Sequence, residues 1–422
     1  TVTLTKDTGI TDITFTADDA ILTIASTDAQ TVTLSGGTAA APTDVSASTF
    51  TSGAAAVTVV SAGVDTAANN AITLKGTAIT GVTVTGTQKI DVTANVSKLI
   101  AAADFSGTSE AISFTGLSTA TAALTFTPGT GAVTALTTGT GADTITLTAL
   151  ADTVTNSGSG NDTITAGAGN DTITASGAGA DTITLGAGDD TVTDSGAGAD
   201  IITGGDGNDT ITTGADNNSV DGGAGNDNLT GGTGADTLIG GDGNDTLTGN
   251  AGADSITGGA GNDTISDGAD NDTVVAGDGV DTITISTGND SVDAGAGNDV
   301  ITITGLSAAD TIGGGDGTDK LTVTNASAAT LTPAFTSIET LVVNTSTGFA
   351  LDLTNATDKT SLTSYTITGT NSAGTDNVTL TNIASGSTVA VSDDSTWDGA
   401  ATTDTDNTGD LDNLVIDTVG GA

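Results

Sequence analysis

The chain has 422 residues and a formal net charge of −46, from 52 acidic residues against 6 lysines, and it contains no arginine, histidine, cysteine or methionine. That composition excludes disulfide staples, zinc sites built on His or Cys, and a basic nucleic-acid-binding surface. Aromatics at 2% make a large globular core hard to build, while 61 glycines against only 3 prolines set the chain apart from a disordered Pro/Gly tract.

Residues 1–138 carry a strand rhythm. Thr1-Val2-Thr3-Leu4-Thr5, Asp12-Ile13-Thr14-Phe15-Thr16 and Thr31-Val32-Thr33-Leu34 alternate aliphatic and polar side chains. So do Ala71-Ile72-Thr73-Leu74, Gly81-Val82-Thr83-Val84 and Ala123-Leu124-Thr125-Phe126. Short strands at regular spacing predict a β-sandwich, barrel or solenoid, and the solenoid is preferred because the same Thr-aliphatic beat continues downstream. A short helix is expected somewhere within Ser97 to Phe105. The chain starts at Thr1 without an initiator Met or a recognisable signal peptide, as expected of a processed form or a fragment. No run of apolar residues is long enough to span a membrane.

From about Gly139 to Lys320 the sequence repeats itself. Aspartates recur in steps of nine, sometimes ten: Asp143, Asp152, Asp162, Asp171, Asp181, Asp190, Asp200, Asp209, then Asp227, Asp236, Asp245, Asp254, Asp263, Asp272, Asp281, Asp290 and Asp299. Asn218 stands at the one skipped beat, and Asp310 and Asp319 follow after a longer step. One full unit reads Gly204-Gly205-Asp206-Gly207-Asn208-Asp209-Thr210-Ile211-Thr212. Its turn recurs at Gly222 to Asp227, Gly240 to Asp245 and Gly258 to Asp263, and the acids inside such turns include Asp242, Asp278 and Asp316.

Glycine permits the positive φ of a tight turn and bares its carbonyls. The D-T-I-T words that follow are strands, whose aliphatics (Ile145, Val154, Ile164, Ile173, Ile183, Val192, Ile202, Ile211, Val220, Leu229, Leu238, Leu247, Ile256 and Ile265) point one way while the threonines point out. One inward aliphatic per repeat makes no core until coils stack. Two nonapeptides form one coil, so the turns fall on two sides. One side carries Asp171, Asp190, Asp209, Asp227, Asp245, Asp263, Asp281, Asp299 and Asp319. The other carries Asp143, Asp162, Asp181, Asp200, Asn218, Asp236, Asp254, Asp272 and Asp290, with the ten-residue steps and looser Ser-Gly turns. Early coils should hold about 19 residues and later ones about 18, as the nine- and ten-residue steps require.

Stacked carboxylates roughly 4.8 Å apart repel by about 1 kcal/mol per pair in water and by more where water is excluded. A divalent ion between adjacent turns reverses that sign. Ca²⁺ suits oxygen ligands of mixed type, whereas Mg²⁺ demands stricter geometry. The expected ligands are the repeat aspartates, the in-turn acids Asp206, Asp242, Asp278 and Asp316, and the turn glycines Gly204, Gly222, Gly240 and Gly258. Asn218, lacking a charge, is expected to leave a weak or empty site. The recurrent Asn-Asp-Thr is a formal glycosylation sequon that the repeat itself explains. No aspartate stands apart in a way that suggests catalysis, and the chain is read as not an enzyme.

Residues 321–422 return to the flanking rhythm. Leu321-Thr322-Val323-Thr324, Thr340-Leu341-Val342-Val343, Ala350-Leu351-Asp352-Leu353, Tyr365-Thr366-Ile367-Thr368, Asn377 to Thr381 and Asp412 to Asp417 read as strands. The lone Trp397 is read as a local packing plug.

The unit G-G-x-G-x-D-x-U-x closely resembles the RTX (repeats-in-toxin) nonapeptide, a calcium-binding repeat. The fold class is therefore all-β: a right-handed parallel β-roll or β-solenoid with calcium-binding turns over 139–320, flanked by Thr-rich β-domains at 1–138 and 321–422. With its Thr/Ala-rich, Cys-free flanks and the phrase Ile338-Glu339-Thr340-Leu341, the whole chain resembles RTX-containing bacterial surface-layer (S-layer) proteins of the Caulobacter kind. That resemblance implies type I secretion, an extracellular place on the bacterial cell surface, and multiple Ca²⁺ ions. The implied partners are other copies of the chain in a two-dimensional lattice and a cell-surface polysaccharide or lipopolysaccharide, although no anchoring domain is identifiable. The alternatives are an RTX adhesin or spacer module and a calcium-dependent ice-binding protein.

Overall fold

The structure is a computed structural model that describes residues 123–324 except 157, 176 and 195, together with residues 333–345, 362–369 and a set of strands in the flanks. Every regular element among the described residues is a β-strand. The chain forms two compact units, Thr1–Ser219 and Val220–Ala422.

In the first unit, consecutive strands go alternately to two parallel sheets, each strand pairing with the next but one. Thr144–Thr146, Thr163–Ala168, Thr182–Ala187 and Ile201–Asp206 are neighbours in one sheet; Thr153–Asn156, Thr172–Ala175, Thr191–Asp194 and Thr210–Thr212 are neighbours in the other. Both sheets reach back into the N-terminal flank through Ile79–Gly86 and Ala102–Thr108, and through Asn69–Gly76, Lys89–Val96 and Ile112–Thr115. The second unit repeats the plan, with Thr237–Asp242, Ser255–Ala260, Thr273–Asp278 and Ser291–Gly297 in one sheet and Thr246–Thr248, Thr264–Ser266, Thr282–Ile285 and Val300–Ile303 in the other. This is a parallel β-solenoid in which one coil supplies one strand to each sheet.

The register stacks like on like. Ile164 pairs with Ile183, Ile173 with Val192, Leu247 with Ile265 and Ile256 with Val274. All fourteen aliphatics expected to point inward are buried. Period-two strands alternate their faces, so Thr163, Thr165, Thr182 and Thr184 lie exposed on the same strands. Each fully buried Ile, Leu or Val contributes roughly 1.5–3 kcal/mol, and a coil brings at least two, which no isolated repeat could use.

The flanking strands expected from alternation are present, as Val2–Thr5, Asp12–Phe15, Gln30–Leu34, Asn69–Gly76 and Ile79–Gly86 before the repeats. After them come Lys320–Thr324, Thr340–Thr345, Phe349–Asp352, Ser364–Gly369, Asn377–Ile383 and Asn413–Thr418. The helix expected within Ser97 to Phe105 is not formed where the structure describes it: Ala102–Thr108 is a strand, parallel to Ile79–Gly86 and Thr125–Thr127. Ala103 and Phe105 alternate inward with period two, and the Phe105 ring packs 5.4 Å from both Phe114 and Phe126. Aromatic packing inside the stack outweighs the local helix preference of the alanines. Trp397 lies outside the described residues.

Candidate metal centre

Each turn is set by glycines with two distinct duties. In Gly240-Gly241-Asp242-Gly243-Asn244-Asp245 the second and third glycines hold φ at 114° and 143°, values that side-chain-bearing residues avoid. Gly240 has no such need; it is required for space. A methyl group there would overlap the Asp245 carboxylate and the Gly258 carbonyl oxygen of the next coil. Gly222 stands likewise against Asp227 and Gly240, and Gly258 against Asp263 and the Ala276 carbonyl. Gly204 is buried at the equivalent place in its own turn. Above Gly222, Gly240 and Gly258, a carboxylate oxygen and a peptide carbonyl from adjacent coils face the same small space.

The repeat aspartates form two interleaved columns of buried carboxylates, all no more than 4% exposed. On the first side, the backbone N–H of each aspartate donates to Oδ1 of the aspartate one coil later: Asp152 to Asp171 at 2.7 Å, Asp171 to Asp190 at 2.7 Å and Asp190 to Asp209 at 2.8 Å. In the second unit Asp227, Asp245, Asp263, Asp281 and Asp299 donate in turn to Asp245, Asp263, Asp281, Asp299 and Asp319. The other side behaves alike, through Asp143, Asp162, Asp181 and Asp200 in the first unit and Asp236, Asp254, Asp272, Asp290 and Asp310 in the second. Linked residues are 19 apart in the early coils, 18 in most later ones and 20 at the last, so the coil lengths read from the sequence stand and the longer step before Asp310 lengthens the final coil.

One oxygen is thus spent on the backbone of the preceding coil; at a set of these positions the other finds no donor, whereas Oδ2 of Asp236 accepts the Gly232 N–H at 3.0 Å. Oδ2 of Asp171, Asp190, Asp245, Asp263, Asp281, Asp299 and Asp319 on the first side, and of Asp254 and Asp272 on the second, is buried without a hydrogen-bond donor. Burial pushes column carboxyls up, Asp171 to about 7 and Asp143, Asp181, Asp263 and Asp272 to about 6, against the pull of the backbone N–H groups they accept. Buried charge needs a partner, yet no lysine, arginine or histidine lies between Lys98 and Lys320. Bare carboxylate oxygens beside peptide carbonyls, with no nitrogen or sulfur donor, form the all-oxygen ligand set that Ca²⁺ takes. The residues fit calcium.

Other expected ligands fall elsewhere. The side chains of Asp206, Asp242, Asp278 and Asp316 are exposed, and the carbonyls of Asp206, Asp242 and Asp278 accept from Gly188, Gly225 and Gly261 of the preceding coil. The structure does not bring them to the buried row. Asp152 belongs to the first-side column, but its turn lacks glycine and its Oδ2 accepts from the Thr148 N–H and hydroxyl at 2.7 and 2.8 Å. Asp310 ends the second side in the same manner, its Oδ2 taken by the Ser307 N–H at 2.7 Å.

Asn218 keeps the column intact: its Oδ1 accepts the Asp200 N–H at 3.0 Å, while its Nδ2, the place of the bare oxygen elsewhere, donates to the Asp216 carbonyl. The step hence needs an acceptor and not a charge. Looser turns on this side use Asp216, Asn250 and Asp270 at φ 76–86°, where short polar side chains tolerate the left-handed region better than others.

Sequence reasoning missed three features. The Asn just before the repeat aspartate makes an exposed second ladder running the other way: Oδ1 of Asn226, Asn244 and Asn262 accepts the N–H of Asn244, Asn262 and Val280, each at 2.7 Å. Glu339 receives the Asp319 N–H on Oε2 at 2.7 Å and so extends the first-side column by one coil; the 20-residue step from Asp319 was its only signal. Asp194 and Asp267, outside the repeat register, are buried beside the second-side column, in two groups of three carboxylates with Asp181 and Asp200 and with Asp272 and Asp290.

A parallel solenoid with glycine turns and columns of buried, half-satisfied carboxylates defines a calcium-binding β-roll. Comparison with known families agrees: residues 156–192, 194–229, 221–256, 230–265, 248–283 and 284–321 match the RTX calcium-binding nonapeptide repeat. No curated protein matches the chain. The chain therefore carries RTX repeats, which bind Ca²⁺. Proteins with such repeats are typically secreted. No helix among the described residues is long and apolar enough to cross a membrane.

Proposed function

We propose that the chain is a structural, non-catalytic protein of a calcium-dependent bacterial cell-surface lattice, threaded out unfolded and folded by external Ca²⁺. The observation that carries the calcium part is the row of buried Oδ2 atoms that no protein donor reaches. Ligand binding that exists only in the folded state becomes folding free energy, so scarce cytosolic calcium keeps the chain open and abundant external calcium closes it. The lattice part is supported by the Thr/Ala-rich, Cys-free flanks, whose strands stack in the same parallel manner as the repeats.

Negative-stain microscopy of the purified chain, dialysed from EDTA into millimolar calcium, tests the lattice. Ordered sheets that dissolve again in EDTA are expected. A monomer at every calcium level would instead favour an adhesin or spacer module and overturn the lattice reading.

A further inference from the structure

The added carboxylates Asp194 and Asp267 stand where neighbouring coils have none. Asp194 ends the strand Thr191–Asp194 in register with Ala175. Asp267 follows Thr264–Ser266 at the place, five before the column aspartate, that Gly231 and Gly249 hold in the two preceding coils. Both are buried, 2% and 0% exposed.

Each is held by one oxygen only. Asp194 Oδ1 accepts the Gly196 N–H at 3.0 Å; Asp267 Oδ1 accepts the N–H of Gly268 at 2.6 Å and of Ser286 at 3.0 Å. Oδ2 of Asp267 is buried without a donor, and that of Asp194 has only the Asp200 carboxyl beside it, with which it can share a proton when no ion is bound. Ligand oxygens of Asp181, Asp194 and Asp200 lie within 4.8 Å of one another, as do those of Asp267, Asp272 and Asp290. Calcium–oxygen bonds of about 2.3–2.6 Å place opposite ligands up to roughly 5 Å apart, so each group can close on one such ion.

We infer that Asp194 and Asp267 each complete a three-carboxylate calcium site on the second side, one in each compact unit, and that these two sites fill before the rest. The inference rests on the reading that the roll binds calcium, and it concerns residues outside the repeat motif. Three carboxylates around one divalent ion leave a residual negative charge, whereas the other turns supply fewer carboxylates and more carbonyls. Ligand charge count is what tunes calcium affinity over several decades. Without an ion, three buried acids with no nearby protein cation are the least stable points of the solenoid.

Equilibrium dialysis of the full chain with radioactive calcium tests this. Asp194→Asn and Asp267→Asn keep Oδ1 as acceptor and turn Oδ2 into a donor. Each is expected to weaken one of the two tightest sites by roughly tenfold or more, and the double variant both. Thermal midpoints should move in opposite directions, up in EDTA and down in calcium. Asp194→Ala and Asp267→Gly, the residues of neighbouring coils, give the same readout in a background that the fold already accommodates. Unchanged tight-site number and affinity in these variants, or equal midpoint shifts in EDTA and calcium, would overturn the inference. A wild-type chain that takes up no calcium would sink the underlying reading instead.

Discussion

Where its second oxygen finds no donor, a repeat aspartate does two jobs with two oxygens. Asp263 shows the division: Oδ1 accepts the Asp245 N–H at 2.8 Å, and Oδ2 is buried and bare. Asp263→Asn keeps the acceptor and removes the ligand, so calcium affinity should fall while the calcium-free fold is spared. Asp263→Ala loses both and strands a buried N–H, at a cost of roughly 1–3 kcal/mol even in EDTA. Chemical denaturation with and without calcium separates the two; equal behaviour of both variants would contradict the division. The raised carboxyls also set a pH dependence. A group easier to protonate when folded stabilises the fold through its proton, so the folded state binds more protons and stability falls as pH rises. For Asp263 and Asp272, near 6, and Asp171, near 7, this stability is complete below about pH 4, where unfolded aspartates are protonated too. It is lost as the pH climbs through 6 to 7. Melting in EDTA should thus show a midpoint that drops from acid to neutral pH; a rising one would contradict the burial of these groups.

At the scale of the element, the strands were legible and the ladders were not. Alternation of Thr with Ile, Val or Leu marks a strand because only period two puts every aliphatic in the core, and Ile145 through Ile265 are all buried as that period requires. The two-sided turns and the coil lengths followed from counting. What escaped was whatever depends on a neighbour a coil away. The Asn ladder, Asn218 as a neutral rung and Glu339 as the last acceptor are all satisfied by residues 18–20 positions off. Nothing local distinguishes an Asn facing solvent from one bonding the next coil. Phe105 drew its strand from Phe114 and Phe126 in the same way. Two substitutions check the elements. Gly240→Ala should disturb both the Asp245 carboxylate and the Gly258 carbonyl, lowering calcium affinity and stability together. Ile173→Ala, which only opens the core, should cost roughly 2–5 kcal/mol with calcium affinity moved little beyond that. Denaturation alongside calcium titration reads both; a Gly240→Ala protein with wild-type affinity would remove the steric account of the turn.

For the whole molecule the governing quantity is charge. A net −46 with no lysine, arginine or histidine from residue 99 to residue 319 leaves the buried columns dependent on ions from outside. That dependence was readable from composition and spacing, since every alternative counter-charge is missing from residues 99–319. The wider role was less so: a calcium-folded solenoid serves a lattice, an adhesin or a spacer equally well, and fold alone does not choose among them. Calcium-coupled folding is the claim on which all the rest stands. A calcium titration of the full chain at neutral pH, followed by far-ultraviolet circular dichroism with magnesium as control, tests it most directly. Cooperative gain of β-structure with calcium, little with magnesium, and loss on adding EDTA are the expected result. A β-rich spectrum already complete in EDTA and indifferent to calcium would contradict it.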